Sequence, residues 1–279
     1  MLTPDMMNMF PGDPKSIAHI SVEYKHKIDA EFIATLNNAH KTFLESVKAI
    51  GIEKFVIGLS GGVDSVVACA LLKSSAVPVT AIIVEIDHGN ELSEETRFAI
   101  SIAQKLNIDY RIVHADQIYK EHLKLFPDAS QMARVHLRSR LINSIIFQFA
   151  DQHSGFVVDT TDKSEDILKI YEESFRGHFV PVIDFYKSEM YDIADYFGLA
   201  EMRQRRSGCP ELTDFDAFGV DWEDLDPILY LLAERGESGE SIARDHAIDW
   251  DWLKKLERRI ALQSLRTSPT ILRVPRPTH

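Results

Sequence analysis

The sequence predicts an α/β protein built on a doubly wound parallel sheet flanked by helices. Short apolar runs alternate with helix-length amphipathic stretches, the order that builds a parallel sheet covered on both faces. The runs at 55–57, 81–84 and 156–158 are continuously apolar, as strands buried on both sides must be. The first of them, Phe55-Val56-Ile57, passes straight into Ser60-Gly61-Gly62 before a helical pattern begins.

Taken in order, an amphipathic helix spans 29–50, with Phe32, Ile33, Leu36, Ala39, Phe43 and Val47 on one stripe. Strands are expected at 54–59, 79–86, 109–113 and 155–159, and helices at about 64–74, 93–106, 131–152 and 187–197. In the first of these helices Val66, Val67, Ala70 and Leu71 share the core-facing stripe. After Gly198 the pattern loosens through 203–216 and the acidic stretch 221–226, then resumes as helices around 226–234 and 239–262. The proline- and arginine-rich tail 268–279 is expected to lie extended. This gives an N-terminal extension (1–28), one large domain (29–235) and a C-terminal helix with its tail (236–279).

Composition narrows the function classes. A chain of 279 residues, 45% hydrophobic and 27% charged, has ample length to bury a core. No apolar run reaches membrane-span length and Met1–Pro14 lacks a signal-peptide layout, so no membrane partner and a cytoplasmic location are expected. Cys69 and Cys209 stand far apart without CxxC spacing, which argues against a disulfide framework and against a zinc site. A net charge of −12 opposes nonspecific binding to phosphate backbones, and no nucleic-acid partner is expected. His88, His114, His136 and His178 pair with no Ser or Cys at a diagnostic spacing, which favours packing or surface roles.

The chemistry concentrates where strands end. Glycines at 61 and 62 let the backbone turn sharply, so that the amides of the turn and of the following helix converge on one spot that favours an anion. No Lys-Ser/Thr ending follows, so this is not the GxxxxGK[ST] loop of nucleoside triphosphatases. A second segment, Val157-Val158-Asp159-Thr160-Thr161-Asp162-Lys163-Ser164-Glu165, also leaves a strand. It delivers hydroxyls and carboxylates to the crevice at the carboxyl ends of the strands, where such sheets bind ligands. Asp64 and Glu165 suit a hard cation, and Lys187 can act as a mobile charge on phosphates.

Ser60-Gly61-Gly62-Val63-Asp64-Ser65 resembles the pyrophosphate loop of ATP pyrophosphatases, which bind ATP, transfer AMP to a substrate oxygen and release pyrophosphate. With residues 157–165 and the later Tyr186-Lys187-Ser188-Glu189, the chain resembles the NAD synthetase family over about 30–230. Members carry Gly-Thr-x-x-Lys/His-Ser/Ala-Glu and a downstream Tyr-Lys-Thr. The resemblance implies an adenine nucleotide alpha hydrolase-like, Rossmann-like fold and an ATP-dependent amide ligase. It implies ATP binding by Gly58, Ser60, Gly61, Gly62, Val63, Asp64, Ser65, Thr160, Lys187 and Ser207, and Mg2+ held by Asp64 and Glu165, with Asp64 and Lys187 as the catalytic residues. It also implies a homodimer, for which the apolar helix face around 137–149 is a candidate.

A carboxylate is a poor acyl electrophile, whereas its mixed anhydride with AMP has a good leaving group that ammonia or an amine displaces. Magnesium and Lys187 would stabilise the charge that builds on the α-phosphate and the departing pyrophosphate. Glutamine-using members of the family carry an added glutaminase domain, and 279 residues leave no room for one.

Departures from the family cluster in the segments devoted to the acceptor. The family's Asn-x-x-Ala-Arg-x-Arg is matched by His136-Leu137-Arg138-Ser139-Arg140-Leu141-Ile142, which keeps Arg140 but places His136 and Ile142 at the Asn and the second Arg. Asp159 stands where the family has Gly, the loop at 172–178 is short, and Ser264-Leu265-Arg266 replaces His-Lys-Arg. An acceptor carboxylate other than the deamido-dinucleotide is therefore expected, with His136, Arg140, Arg176, His178 and Arg266 as candidate contacts. Two alternatives stand beside this reading. One is a pyrophosphate-loop enzyme that adenylates a carbonyl oxygen in RNA base thiolation or amidation, and the other is a noncatalytic nucleotide-binding relative.

Overall fold

The computed structural model describes residues 11–86, 91–170, 176–205, 208–209 and 212–267. His88, residues 172–175, Ser207 and the tail 268–279 lie outside the described residues, as do the side chains of Cys209, Leu265 and Arg266.

In chain order the elements are α1 (Ala30–Lys48), β1 (Lys54–Gly58), α2 (Val63–Ser74), β2 (Val79–Glu85), α3 (Glu94–Lys105), β3 (Asp109–His114), α4 (Asp116–Leu125), α5 (Gln131–Gln152), β4 (Gly155–Val158), α6 (Lys163–Leu168), α7 (Lys187–Tyr196), α8 (Asp214–Phe218), α9 (Trp222–Ala233), α10 (Gly239–Asp245) and α11 (Trp250–Thr267). The four strands form one parallel sheet in the order β3-β2-β1-β4. Beyond β4, Val158 pairs in parallel with Phe179, and Asp159 N–H donates to the Phe179 carbonyl at 2.8 Å.

Phe55, Val56 and Ile57 are all buried because β1 has a core on each face. On one side Phe55 and Ile57 pack with Ile33 and Leu44 of α1, Val66 and Leu71 of α2, Ile102 of α3 and Ile193 of α7. On the other, Val56 packs with Ile82, Val157 and Ile146 of α5. The contact with α5 is close: a Cβ at Gly58 would lie 2.5 Å from Ile146 Cδ1, so a larger residue there would make the end of that side chain shift. Ile142, Ile145 and Phe149 of α5 pack against this core and stay half-buried, so the apolar face expected to join a second subunit is turned in part to the chain's own sheet.

A second core lies beside α7. It joins Ile20 to Leu168, Tyr186, Phe218, Leu229, Ile242, Trp252 and Leu253. The segments expected at 1–28 and 236–279 thus meet in one cluster, and the Trp252 indole N–H donates to the Phe218 carbonyl at 2.8 Å.

Two helices differ from expectation. The helix expected from 226 begins at Trp222 and runs through Pro227. The helix expected over 239–262 is two, α10 and α11, because Ala247 adopts φ +54° and Ile248 N–H returns to the Ala243 carbonyl at 3.0 Å. Asp249 then caps the new helix, its Oδ1 accepting from the amides of Asp251 (2.9 Å) and Trp252 (3.3 Å). The bend brings both Ile242 and Trp252 into the second core. Three short helices, α4, α6 and α8, add to those expected.

Candidate active site

The turn after β1 is built around Gly61, whose φ of +84° places it in the left-handed region. Ser60 Oγ accepts from the Gly62 amide at 3.2 Å, and Ser65 Oγ donates to the Gly62 carbonyl at 3.0 Å. The Ser65 hydroxyl thus braces the loop, while Gly62 starts α2 with no side chain capping it. The first amides of α2 are left for an anion.

At the end of β4, Asp159 organises the second segment. Its Oδ1 accepts from the Thr161 amide (2.9 Å) and hydroxyl (2.6 Å), and its Oδ2 accepts from the Gly177 amide at 3.1 Å and lies 3.2 Å from Arg176 Nε. Asp162 caps α6, with Oδ1 accepting from the Glu165 amide at 2.8 Å. Asp162 went unremarked in the sequence, although Asp directly before a short helix is an N-cap signal.

These elements converge on Lys187, the first residue of α7. Its Nζ lies 2.7 Å from Asp64 Oδ2, 2.9 Å from Asp162 Oδ2 and 2.9 Å from Glu165 Oε1, and the side chains of Lys187 and Asp162 are 1% and 0% exposed. Loss of water disfavours the Lys187 charge, but the three carboxylates outweigh it and raise its pKa well above the ordinary value. The same removal from water pushes Asp162 up, with Lys187 opposing and Glu165 and Asp64 adding to the rise. Glu165 is pushed to about 7 in the same way, against the pull of Lys187.

Oxygens of Asp64, Asp162 and Glu165 lie within 4.8 Å of one another, and Asp64 Oδ1 is buried without a hydrogen-bond partner. Three carboxylates against one ammonium leave a formal charge of −2 when all are ionised. An all-oxygen donor set with excess negative charge and an unsatisfied buried lone pair fits a hard divalent cation.

Beside the cluster a cleft of about 700 Å3 opens at the carboxyl ends of the strands. Gly58, Ser60, Gly61, Gly62, Glu85, Thr160, Arg138, Arg176 and Arg205 line it, whereas Asp64, Glu165 and Lys187 sit next to it rather than on its wall. The candidate acceptor residues separate here. Arg176 faces the cleft. Arg140 is exposed and absent from the lining, and Arg138, one helical half-turn earlier, takes the inward position and donates to the Ile86 carbonyl at 3.0 Å. Matching the family's Arg-x-Arg to Arg138-Ser139-Arg140 keeps both arginines and sets Arg134 and Leu137, in place of His136 and Ile142, as the replacements in this segment. His136 is half-buried away from the lining. His178 is engaged by the sheet edge, where its Nδ1 accepts from the Val157 amide at 2.9 Å and its ring stacks on Phe156 at 4.8 Å. Ser207 and the Arg266 side chain lie outside the described residues.

A parallel sheet whose interior strand ends in an uncapped glycine-rich helix start, beside a carboxylate cluster and a cleft, is the architecture of an α/β protein with its site at the carboxyl ends of the strands. A model of the NAD synthase family matches residues 35–268. The chain belongs to that family, and is by class an ATP-dependent carbon–nitrogen ligase. It is 27% identical over 252 residues to the NH(3)-dependent NAD(+) synthetase of Hyperthermus butylicus, covering 87% of this chain and 90% of the relative. It is 27% identical over 254 residues to that of Staphylothermus marinus, covering 86% and 92%. Among solved structures it is similar to the NMN synthetase from Francisella tularensis (TM-score 0.71, 21% identity, 87% and 98% covered). A similar likeness holds for the NH3-dependent NAD synthetase from Campylobacter jejuni subsp. jejuni (TM-score 0.70, 22% identity, 88% and 100% covered). Among the described residues no helix is long and apolar enough to cross a membrane.

Proposed function

We propose that the chain activates an acceptor carboxylate by transfer of AMP from ATP, releases pyrophosphate, and yields an amide when ammonia displaces AMP. The observation that carries this is the meeting of the uncapped α2 start with Asp64, Glu165 and Lys187 at one edge of the sheet. The α2 amides and Ser60 bind the phosphates, with Thr160 on the facing wall of the cleft. Asp64 and Glu165 hold the divalent ion, with Asp162 retaining Lys187 beside them. Magnesium, when bound, neutralises charge on the phosphates. Lys187 supplies a fixed positive charge toward the α-phosphate, and no residue acts as a covalent nucleophile.

For the acceptor we infer an anionic acid held by Arg138 and Arg176, and one other than the deamido-dinucleotide. Support comes from Asp159, which binds Arg176 and the Gly177 amide where the family has glycine, and from Ser264 and Leu265 at the family's His and Lys. We further infer a homodimer, for which the half-buried Ile142, Ile145 and Phe149 of α5 and the exposed Leu125 and Phe126 at the end of α4 are candidate surfaces. Light scattering reads the assembly.

Pyrophosphate release with ammonia and a panel of acids, including nicotinic acid mononucleotide and nicotinic acid adenine dinucleotide, tests both parts. Release with some acid, reduced at least about 100-fold in Asp64→Asn and Glu165→Gln, supports the reaction and its metal ligands. Efficient use of the dinucleotide, above about 10⁴ M⁻¹s⁻¹, refutes the acceptor assignment alone.

A further inference from the structure

Asp226 lies in the second turn of α9, outside the cleft and the metal cluster, and is completely buried. Both its oxygens are engaged. Oδ1 accepts from the Ser164 hydroxyl at 2.6 Å and Oδ2 from the Ser188 amide at 2.7 Å. Ser164 Oγ in turn accepts from the Lys187 amide at 2.8 Å. Ser164 immediately precedes Glu165, and Ser188 immediately follows Lys187. The circuit closes through the side chains, where Lys187 Nζ meets Glu165 Oε1 at 2.9 Å.

We propose that Asp226 is a positioning residue for the ligase reaction: it clamps the starts of α6 and α7 together and thereby fixes Lys187 against Glu165. This rests on the functional reading above. The amides at a helix start normally seek an anion. In α7 those of Lys187 and Ser188 are filled by Ser164 Oγ and the Asp226 carboxylate, whereas α2 keeps its own open. The buried charge of Asp226 therefore has a specific partner set on both helices. No contact links it to the loop that receives the phosphates, so its loss acts on the placement of Lys187 and not on the grip of the nucleotide.

In Asp226→Asn the side-chain oxygen stays with the Ser188 amide and the NH2 group turns to Ser164, whose hydroxyl loses its acceptor, which weakens the Ser164 arm of the clamp and removes its charge. Ser164→Ala breaks the same arm while leaving Asp226 intact. Ser241→Ala removes an exposed hydroxyl of α10 that donates to Asp245 Oδ2 at 2.9 Å, outside the circuit. In each protein the affinity for α,β-methylene-ATP with Mg2+, the kcat and KM for pyrophosphate release, and the thermal midpoint are measured.

The expected result is a kcat at least about tenfold lower in Asp226→Asn and Ser164→Ala, with nucleotide affinity within about threefold of wild type, and Ser241→Ala within about twofold throughout. Unchanged kcat in a folded Asp226→Asn, or a loss of kcat matched by an equal loss of nucleotide affinity, overturns the positioning role. Should Asp226→Asn not fold, Ser164→Ala decides by the same two criteria. A wild-type protein that releases no pyrophosphate with any acid refutes the functional reading instead.

Discussion

Asp162 and Lys187 form a fully buried ion pair at 2.9 Å, and the same ammonium also faces Asp64 and Glu165. One cation thus serves three carboxylates. The raised pKa of Asp162 means that its charge is disfavoured there in the ligand-free protein. Asn caps a helix as well as Asp, so Asp162→Asn keeps the Glu165 amide bond on its Oδ1 but turns an NH2 group toward Lys187 Nζ, so the charge and one acceptor of the ammonium are lost together. We expect a lower ligand-free thermal midpoint and an affinity for Mn2+ that falls at least about tenfold. A lower midpoint with unchanged Mn2+ affinity assigns Asp162 to holding Lys187 alone.

Glu165 gives a pH dependence of definite sign. Its folded pKa of about 7 exceeds the ordinary 4.5, so the folded protein keeps a proton that the unfolded chain has lost. The corresponding stability is complete below about 4.5 and is lost as pH rises through about 7. Asp162 acts in the same direction. The ligand-free protein is therefore expected to melt at a lower temperature at pH 8 than at pH 5.5 from this contribution. Glu165→Gln should flatten the slope and Mg2+ should offset it, as read by calorimetry across the series.

Gly177 lies hard against the end of β4. A Cβ there would come within 2.7 Å of both Cβ and N of Asp159 and 2.9 Å of the Val157 carbonyl oxygen, and two of these three are backbone atoms. Gly177→Ala is expected to cost about 1–3 kcal/mol, measured by urea denaturation, because the sheet edge must shift to admit the methyl group. A change below about 0.5 kcal/mol would show that the 176–179 segment yields instead.

Arg138 and Arg140 provide a paired test of the cleft. Arg138→Ala should raise the acceptor KM at least about tenfold with nucleotide affinity retained, since a charged hydrogen bond is worth about 1.5–3 kcal/mol. Arg140→Ala should stay within about twofold by the same kinetics. The reverse ranking refutes the placement of the acceptor against α5.

Much of the fold was legible because buried parallel strands read as unbroken apolar runs. The ends of β1 to β4 and of α2, α3, α5 and α7 fall within a residue of expectation. The break between α10 and α11 was hidden because Ala247, neither Gly nor Pro, adopts the left-handed turn, and only the Asp249 cap betrays it. In the site, the loop, Asp64, Glu165 and Lys187 stood out as residues beside strand and helix ends, whereas the direct pairing of Lys187 with both carboxylates did not. Helix facing did not: Arg138 and Arg140 lie two apart, so they point roughly 200° from one another, and only packing of Ile142 and Ile146 on the sheet decides which enters the cleft. Asp226 was invisible for another reason, since its partners come from 62 and 38 residues away.

The N-terminal segment that shares the second core also touches α7 directly. Tyr24 reaches Ser188, and His26 offers both its amide (2.6 Å) and its ring Nδ1 (2.7 Å) to Glu189. Ser188 and Glu189 are the two residues that follow Lys187. Cutting the chain at 29 would strip from the helix that carries Lys187 these three hydrogen bonds and the one from Lys25 Nζ to Asp192 Oδ2 at 3.3 Å, together with the Ile20 anchor. The smallest piece able to hold Lys187 in place therefore starts upstream of Ile20, and the leading segment is a working part of the catalytic body.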